Sequence, residues 1–116
     1  MSLITAFILT ASLAINPQDR PQLIIAQGIV ESNMNPYATG RCGERGAYQV
    51  IPRIHGAVPK GIAAQTDQHV RIMNALLKQH KTIRKAITRY NGAGKQAERY
   101  YCKVRKKTIE LQIVGV

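Results

Sequence analysis

Glu31-Ser32-Asn33-Met34-Asn35-Pro36-Tyr37-Ala38 is where an apolar helical stretch gives way to a polar loop. On its N-terminal side Leu23, Ile24, Gln27, Ile29 and Val30 lead up to the carboxyl. Asp19 can cap that helix, and Pro21 falls in its first turn, where a missing N–H costs nothing. On the C-terminal side, Asn35 to Gly46 is rich in Asn, Pro and Gly, and Arg41-Cys42-Gly43-Glu44-Arg45-Gly46 reads as turns. The pattern sets one carboxyl, Glu31, at the lip of a cleft. Apolar surroundings disfavour an ionised carboxyl, and one that keeps its proton near neutrality is a general acid. Taken alone, a Glu at a helix end is more often a surface residue against a mildly unfavourable dipole.

Outward from this junction the chain reads as helical nearly throughout. A short helix is expected over Ile51 to His55. Thr66 or Asp67 is placed to cap a long helix to about His80, with Val70, Met73, Leu76 and Leu77 as its apolar stripe. Another helix is expected from Thr82 to Tyr90, and a last one from Gln96 to about Ile113. Upstream, Ser2 to Ile15 reads as a first helix packed on the core. Ser12-Leu13-Ala14 resembles a signal cleavage site, but no Lys or Arg precedes it, as a signal peptide requires. The apolar stretch is also too short to span a bilayer. Strand signals are weak, with at most a small hairpin around Gly40 to Gln49. The expectation is a mainly α single domain over residues 1–116.

Composition bounds the rest. The 116 residues suffice for a real core, since a domain of this size buries roughly two-thirds of its unfolded surface. Apolar residues make up 45% of the chain, which excludes a disordered polyelectrolyte. Lys and Arg number 17 against 6 Asp and Glu, a formal net charge of +11. Such a field gathers polyanions (nucleic acid, anionic membrane or cell-wall polymer) without choosing among them. The basic residues crowd the C-terminal half, Arg71 to Lys107, but few aromatic residues interleave with them, as a single-strand nucleic-acid binder would need. Cys42 and Cys102 fit one disulfide or two unrelated thiols. Neither lies in a Cys/His cluster, so no zinc site or other metal is expected. His55, His69 and His80 are expected as solvated or capping residues.

Three more blocks follow the Glu31 block: Gly46-Ala47-Tyr48-Gln49-Val50-Ile51-Pro52, then Tyr90-Asn91-Gly92-Ala93-Gly94, then Tyr101-Cys102-Lys103-Val104. Each is weak alone. The ordered set, over roughly Pro21 to Val104, resembles the soluble lytic transglycosylase family. That resemblance implies a goose-type lysozyme-like fold and cleavage of peptidoglycan glycan strands, with no cofactor. It makes Glu31 the catalytic acid/base and Ser32 a residue that helps position groups around the cleft. Gln49 corresponds to the glutamine lining the family's sugar cleft. Tyr48 stands where the family usually has Met, altering the cleft floor, and Gly46 keeps backbone close to the substrate. Tyr90 and Asn91 correspond to the pair that frames the catalytic Glu, and Tyr101 to a tyrosine of the last helix packed toward the same site. For both tyrosines the alternative is core packing with a hydrogen-bonded hydroxyl.

The mechanism the resemblance implies uses one carboxyl. Glu31 protonates the oxygen between N-acetylmuramic acid and N-acetylglucosamine, then takes a proton from the muramyl C6 hydroxyl, giving a 1,6-anhydro product. Asp19, Asp67, Glu98 and Glu110 fall outside the four blocks, which leaves Glu44 as the one acidic residue in the following loop. If Glu44 reaches the cleft, hydrolysis by a goose-type muramidase is the alternative outcome. A glycan-binding module without turnover is another, and a small basic nucleic-acid binder would explain the charge but none of the blocks. The last helix and the active-site loop are expected close together, which suggests a Cys42–Cys102 disulfide, two independent thiols being the alternative. The partners expected are peptidoglycan strands and, from the economy of the chain, a phage particle or a secretion or conjugation machinery. The expected place of work is the cell envelope or periplasm, or the virion, with no transmembrane span and no specific nucleic acid.

Overall fold

A computed structural model describes residues 20–115. The expected first helix over Ser2 to Ile15, its signal-like alternative and the Asp19 cap lie outside the described residues. Within them the protein is mainly α, as the periodicity predicts. Five helices follow in order: α1 (Arg20–Ser32), α2 (Pro52–His55), α3 (Ile62–His80), α4 (Ile83–Asn91) and α5 (Gly94–Ile113). No strand forms among the described residues. The hairpin region is held by two isolated antiparallel bridges, Thr39 with Arg45 and Arg45 with Val50.

Helix α1 is the centre of the molecule. Leu23, Ile24, Ile25, Ala26 and Gln27 are all buried, so the helix has core on more than one side. Ile24 and Ile25 pack with Ala47, Tyr48, Val50, Val70 and Ile72. Leu23 and Ala26 pack with Met73, Ala86, Ile87, Tyr100 and Val104. Helix α5 lies along α1, and α4 packs on both α3 and α5. Gly28 permits the close approach on the loop side: a Cβ there would lie 3.1 Å from Tyr48 Cε1 and would collide with Met34 Sδ.

Helix α3 starts four residues ahead of its expected cap, at Ile62, with Gly61 as N-cap. Thr66 does not cap it. Its hydroxyl is buried and meets the Tyr48 hydroxyl at 3.1 Å. Gln65, Thr66, Gln68 and His69 together look like a solvated helix start in the sequence, yet all four are buried. The expectation of solvated or capping histidines therefore fails for His69, which stacks on Tyr48 with ring centroids 4.2 Å apart. Thr82 does cap α4, accepting the Lys85 amide at 3.2 Å, after Lys81 has turned the chain through the left-handed region. No helix among the described residues is long and apolar enough to cross a membrane, and no His, Cys, Asp and Glu group there could hold a metal ion.

Candidate active site

The Glu31 block is a turn that folds back on its own helix. Asn33 and Met34 both take left-handed backbone angles, and their amides return to the carbonyls of Ile29 and Gly28. Ser32 secures the turn. Its hydroxyl donates to the Ala47 carbonyl at 2.7 Å and accepts the Asn35 amide at 2.9 Å. Asn35 then closes a local turn by accepting the Tyr37 amide at 2.9 Å. Ser32 thus ties the end of α1 to the Gly46–Pro52 block. Its one proton is committed to the Ala47 carbonyl, so the hydroxyl secures the loop and has no proton to donate to a ligand.

Glu31 opens into a pocket of about 320 Å³. Cys42, Glu44, Gln49 and Ile51 line it from the loop, Tyr90 and Asn91 from the end of α4, and Ala93 and Gln96 from the start of α5. Four of the expected site residues, Glu31, Gln49, Tyr90 and Asn91, therefore share one cavity, and Glu44 joins them. Gln49 is held with positive φ, and its side-chain amide donates to the Gly46 carbonyl at 2.9 Å. The Tyr90 hydroxyl donates to the Tyr48 carbonyl, fixing α4 against the loop.

Burial pushes the Glu31 carboxyl up to about 7 from its ordinary 4.5. The Tyr100 hydroxyl, hydrogen-bonded to the carboxyl, pulls the other way, and the charge of Glu44 adds a smaller upward push. The other described acids are paired at the surface: Asp67 with Arg71, Glu98 with Arg84 at 3.2 Å, and Glu110 with Lys107 at 2.8 Å. Among the described residues Glu31 and Glu44 alone lack a cation. Glu44 instead accepts the Cys42 amide at 2.7 Å. Two other depressions, each about 630 Å³, are larger. Neither contains a half-buried carboxyl that holds its proton near neutrality, so chemistry rather than size selects the Glu31 pocket.

Beneath Glu31 lies a polar core that sequence reasoning missed. Gln27, one turn back on α1, donates through its amide nitrogen to Tyr100 Oη at 3.4 Å and Met73 Sδ at 3.5 Å. Its oxygen faces His69 Nε2 at 2.8 Å, so the imidazole donates from Nε2 and its Nδ1 is left without a partner. Burial holds His69 down at about 3, which keeps it uncharged. With its acceptor capacity turned to Gln27, Tyr100 has its one proton free for Glu31.

Several expectations are corrected here. The tyrosine of the last helix that meets Glu31 is Tyr100, not Tyr101. Ala97, Tyr100 and Val104 share the buried face of α5. Tyr101 is rotated about 100° from it, and lies under the Arg84 guanidinium, 4.9 Å from its ring centroid. Cys102 is rotated a further 100° or so, onto the exposed side, while Cys42 is on the pocket rim. Both thiols are free, so the Cys42–Cys102 disulfide is not formed. Reductant should accordingly leave the melting temperature unchanged; a drop of several degrees would contradict two free thiols. Tyr48 is not a cleft surface either. It is 1% exposed, stacked on His69 and bonded to Thr66, a core residue whose carbonyl serves Tyr90. Gly46 keeps backbone close to Gln65, not to the Glu31 pocket: at φ +81 its Cβ would sit 2.7 Å from Gln65 Oε1.

Comparison of the chain with protein-family models, with curated proteins and with solved structures returns no match.

Proposed function

We propose that this chain is a peptidoglycan lytic transglycosylase with a lysozyme-like helical domain, and that Glu31 is its single acid/base. The observation that carries the proposal is the state of Glu31: a half-buried carboxyl on a pocket wall, without a cation, held at about 7. At neutral pH it keeps enough proton to donate to a glycosidic oxygen, and once ionised it is basic enough to take a hydroxyl proton. The Tyr100 hydroxyl donates to the ionised form and so steadies the intermediate stage. Gln49 and Asn91 line the same pocket and bring to it amide groups of the kind that suits sugar hydroxyls and N-acetyl groups. In the proposed sequence Glu31 protonates the leaving oxygen, the substrate's N-acetyl group stabilises the cationic centre, and Glu31 then deprotonates the muramyl C6 hydroxyl as that oxygen closes on C1. The cell envelope is where such an activity would act, delivered by a phage particle or by a secretion or conjugation apparatus.

Glu44 favours one other reading, because it lines the same pocket. As a base for water it would make the enzyme a hydrolytic muramidase. Its Oε1 is committed to the Cys42 amide, which favours the one-carboxyl route. Two measurements distinguish them. Activity on purified peptidoglycan should fall as the pH rises through about 7 and Glu31 loses its proton. Removing the Glu44 charge removes an upward push, so Glu44→Gln should shift that fall to lower pH while changing the optimal rate by no more than a few-fold. Collapse of the rate in Glu44→Gln at every pH would instead assign Glu44 the role of base.

A further inference from the structure

A row of unpaired cations lies in a groove of about 630 Å³ between the end of α3, one edge of α4 and the start of α5. His80, Lys81, Arg84, Lys85 and Arg89 line it, against one carboxylate, Glu98. Glu98 is already paired with Arg84 at 3.2 Å. Lys81, Lys85 and Arg89 have no acidic partner among the described residues. They follow one another at four-residue intervals, which sets Lys85 and Arg89 one helical turn apart on α4 with Lys81 just before its cap. Neither α4 nor α5 carries an acidic residue in its first turn to offset them.

The groove also has a definite neighbour. Ala93 lines both it and the Glu31 pocket, so the two cavities meet at the turn between α4 and α5. A polymer lying against Glu31 that continues past Ala93 enters a row of free cations. No Phe, Tyr or Trp lines the groove, whose one ring is the His80 imidazole at the end of α3, and Tyr101 of α5 is covered by Arg84. That lack of a stacking platform disfavours single-stranded nucleic acid, which relies on base–aromatic stacking.

We infer that this groove is an anion subsite continuous with the Glu31 pocket, and that it takes carboxylates of the stem peptides on the glycan strand being cleaved. The inference rests on the proposed activity and adds a substrate preference: strands that carry stem peptides over strands that have been stripped. Rim cations of this kind contribute modestly each and are screened by salt, so the preference should weaken as ionic strength rises.

The test uses the full chain with Glu31→Gln, so that strands bind without being cut. Binding is measured to stem-bearing strands, to the same strands stripped by an amidase, and to DNA. Lys85→Gln with Arg89→Gln should weaken binding to stem-bearing strands by roughly fivefold or more at low salt, and binding to stripped strands, which keep only the lactyl carboxylate that the amidase exposes, by less than about twofold. Lys103→Gln with Lys106→Gln removes equal charge elsewhere on α5 and should change binding less than about twofold. Equal losses in the two double variants would reduce the effect to overall charge and overturn the subsite. So would equal affinity for stem-bearing and stripped strands, or tighter binding of DNA than of either. A chain that binds neither kind of strand removes the proposed activity as well, whereas one that binds both equally removes only the subsite.

Discussion

Replacing Glu31 with Gln is expected to lower peptidoglycan cleavage by about a hundredfold or more, the low end of what acid–base catalysis supplies. The same substitution should stabilise the fold at alkaline pH. Glu31 has a folded-state pKa of about 7, above its ordinary 4.5. Its contribution is therefore fully present below about 4.5, declines as the pH rises from there to about 7, and is lost above. In the ionised range burial costs the folded protein up to about 3 kcal/mol. An amide carries no such cost, so Glu31→Gln should melt higher than the parent at pH 8 and differ little at pH 4. Loss of activity together with loss of the fold would mean that Glu31 serves structure instead of chemistry. Thermal melts at the two pH values, read beside the lysis rate, separate these outcomes.

The second large effect is expected at a residue that touches no substrate. Gln65 of α3 holds the loop that carries the Gln49 side of the pocket. Its oxygen accepts the buried Ala47 amide at 2.8 Å, and its nitrogen donates to the carbonyls of Pro36 and Pro59 at 3.0 and 2.9 Å. Gln65→Leu leaves three backbone groups without partners. Each buried unpaired group costs about 1–3 kcal/mol, so a total loss of about 3 kcal/mol and a melting temperature lower by about 10 °C or more are expected. Gln68→Leu is the control. Gln68 makes one 3.2 Å bond to the Ala57 carbonyl and has a buried oxygen with no partner, so replacing it should cost far less. Similar losses in the two variants would contradict the clamp assigned to Gln65.

The residues that sequence placed well are those whose role is local. The passage from helix to loop at the Glu31 block and the start of the helix expected from Thr82 follow from short-range rules about turns, and the structure has them within a residue or so. Glu31, Gln49, Tyr90 and Asn91 were legible through block order, and they share one pocket. What was not legible depends on long-range pairing. Polar residues at the start of α3 resemble a solvated cap until Tyr48, Ala47 and Gln27 arrive from elsewhere in the chain to satisfy them. Tyr48 stands in a block whose resemblance implies a place at the cleft floor, but its ring is turned into the core against His69. The Tyr100 and Tyr101 misassignment had a usable signal. Ala97, Tyr100 and Val104 repeat at three and four residues, which marks one helix face, and Tyr101 falls off it. The same rotation carries Cys102 out toward solvent and away from any bond with Cys42.

In the proposed reaction one carboxyl serves as acid and then as base while the muramyl C6 oxygen closes on C1, with no water as acceptor. Mass spectrometry of the muropeptides released from purified peptidoglycan by the wild-type chain tests it most directly. Fragments ending in 1,6-anhydromuramyl groups are expected, each lighter by one water than its hydrolytic counterpart, and none of them from the Glu31→Gln variant. Fragments with free reducing ends would contradict it and assign the second role to water activated by Glu44.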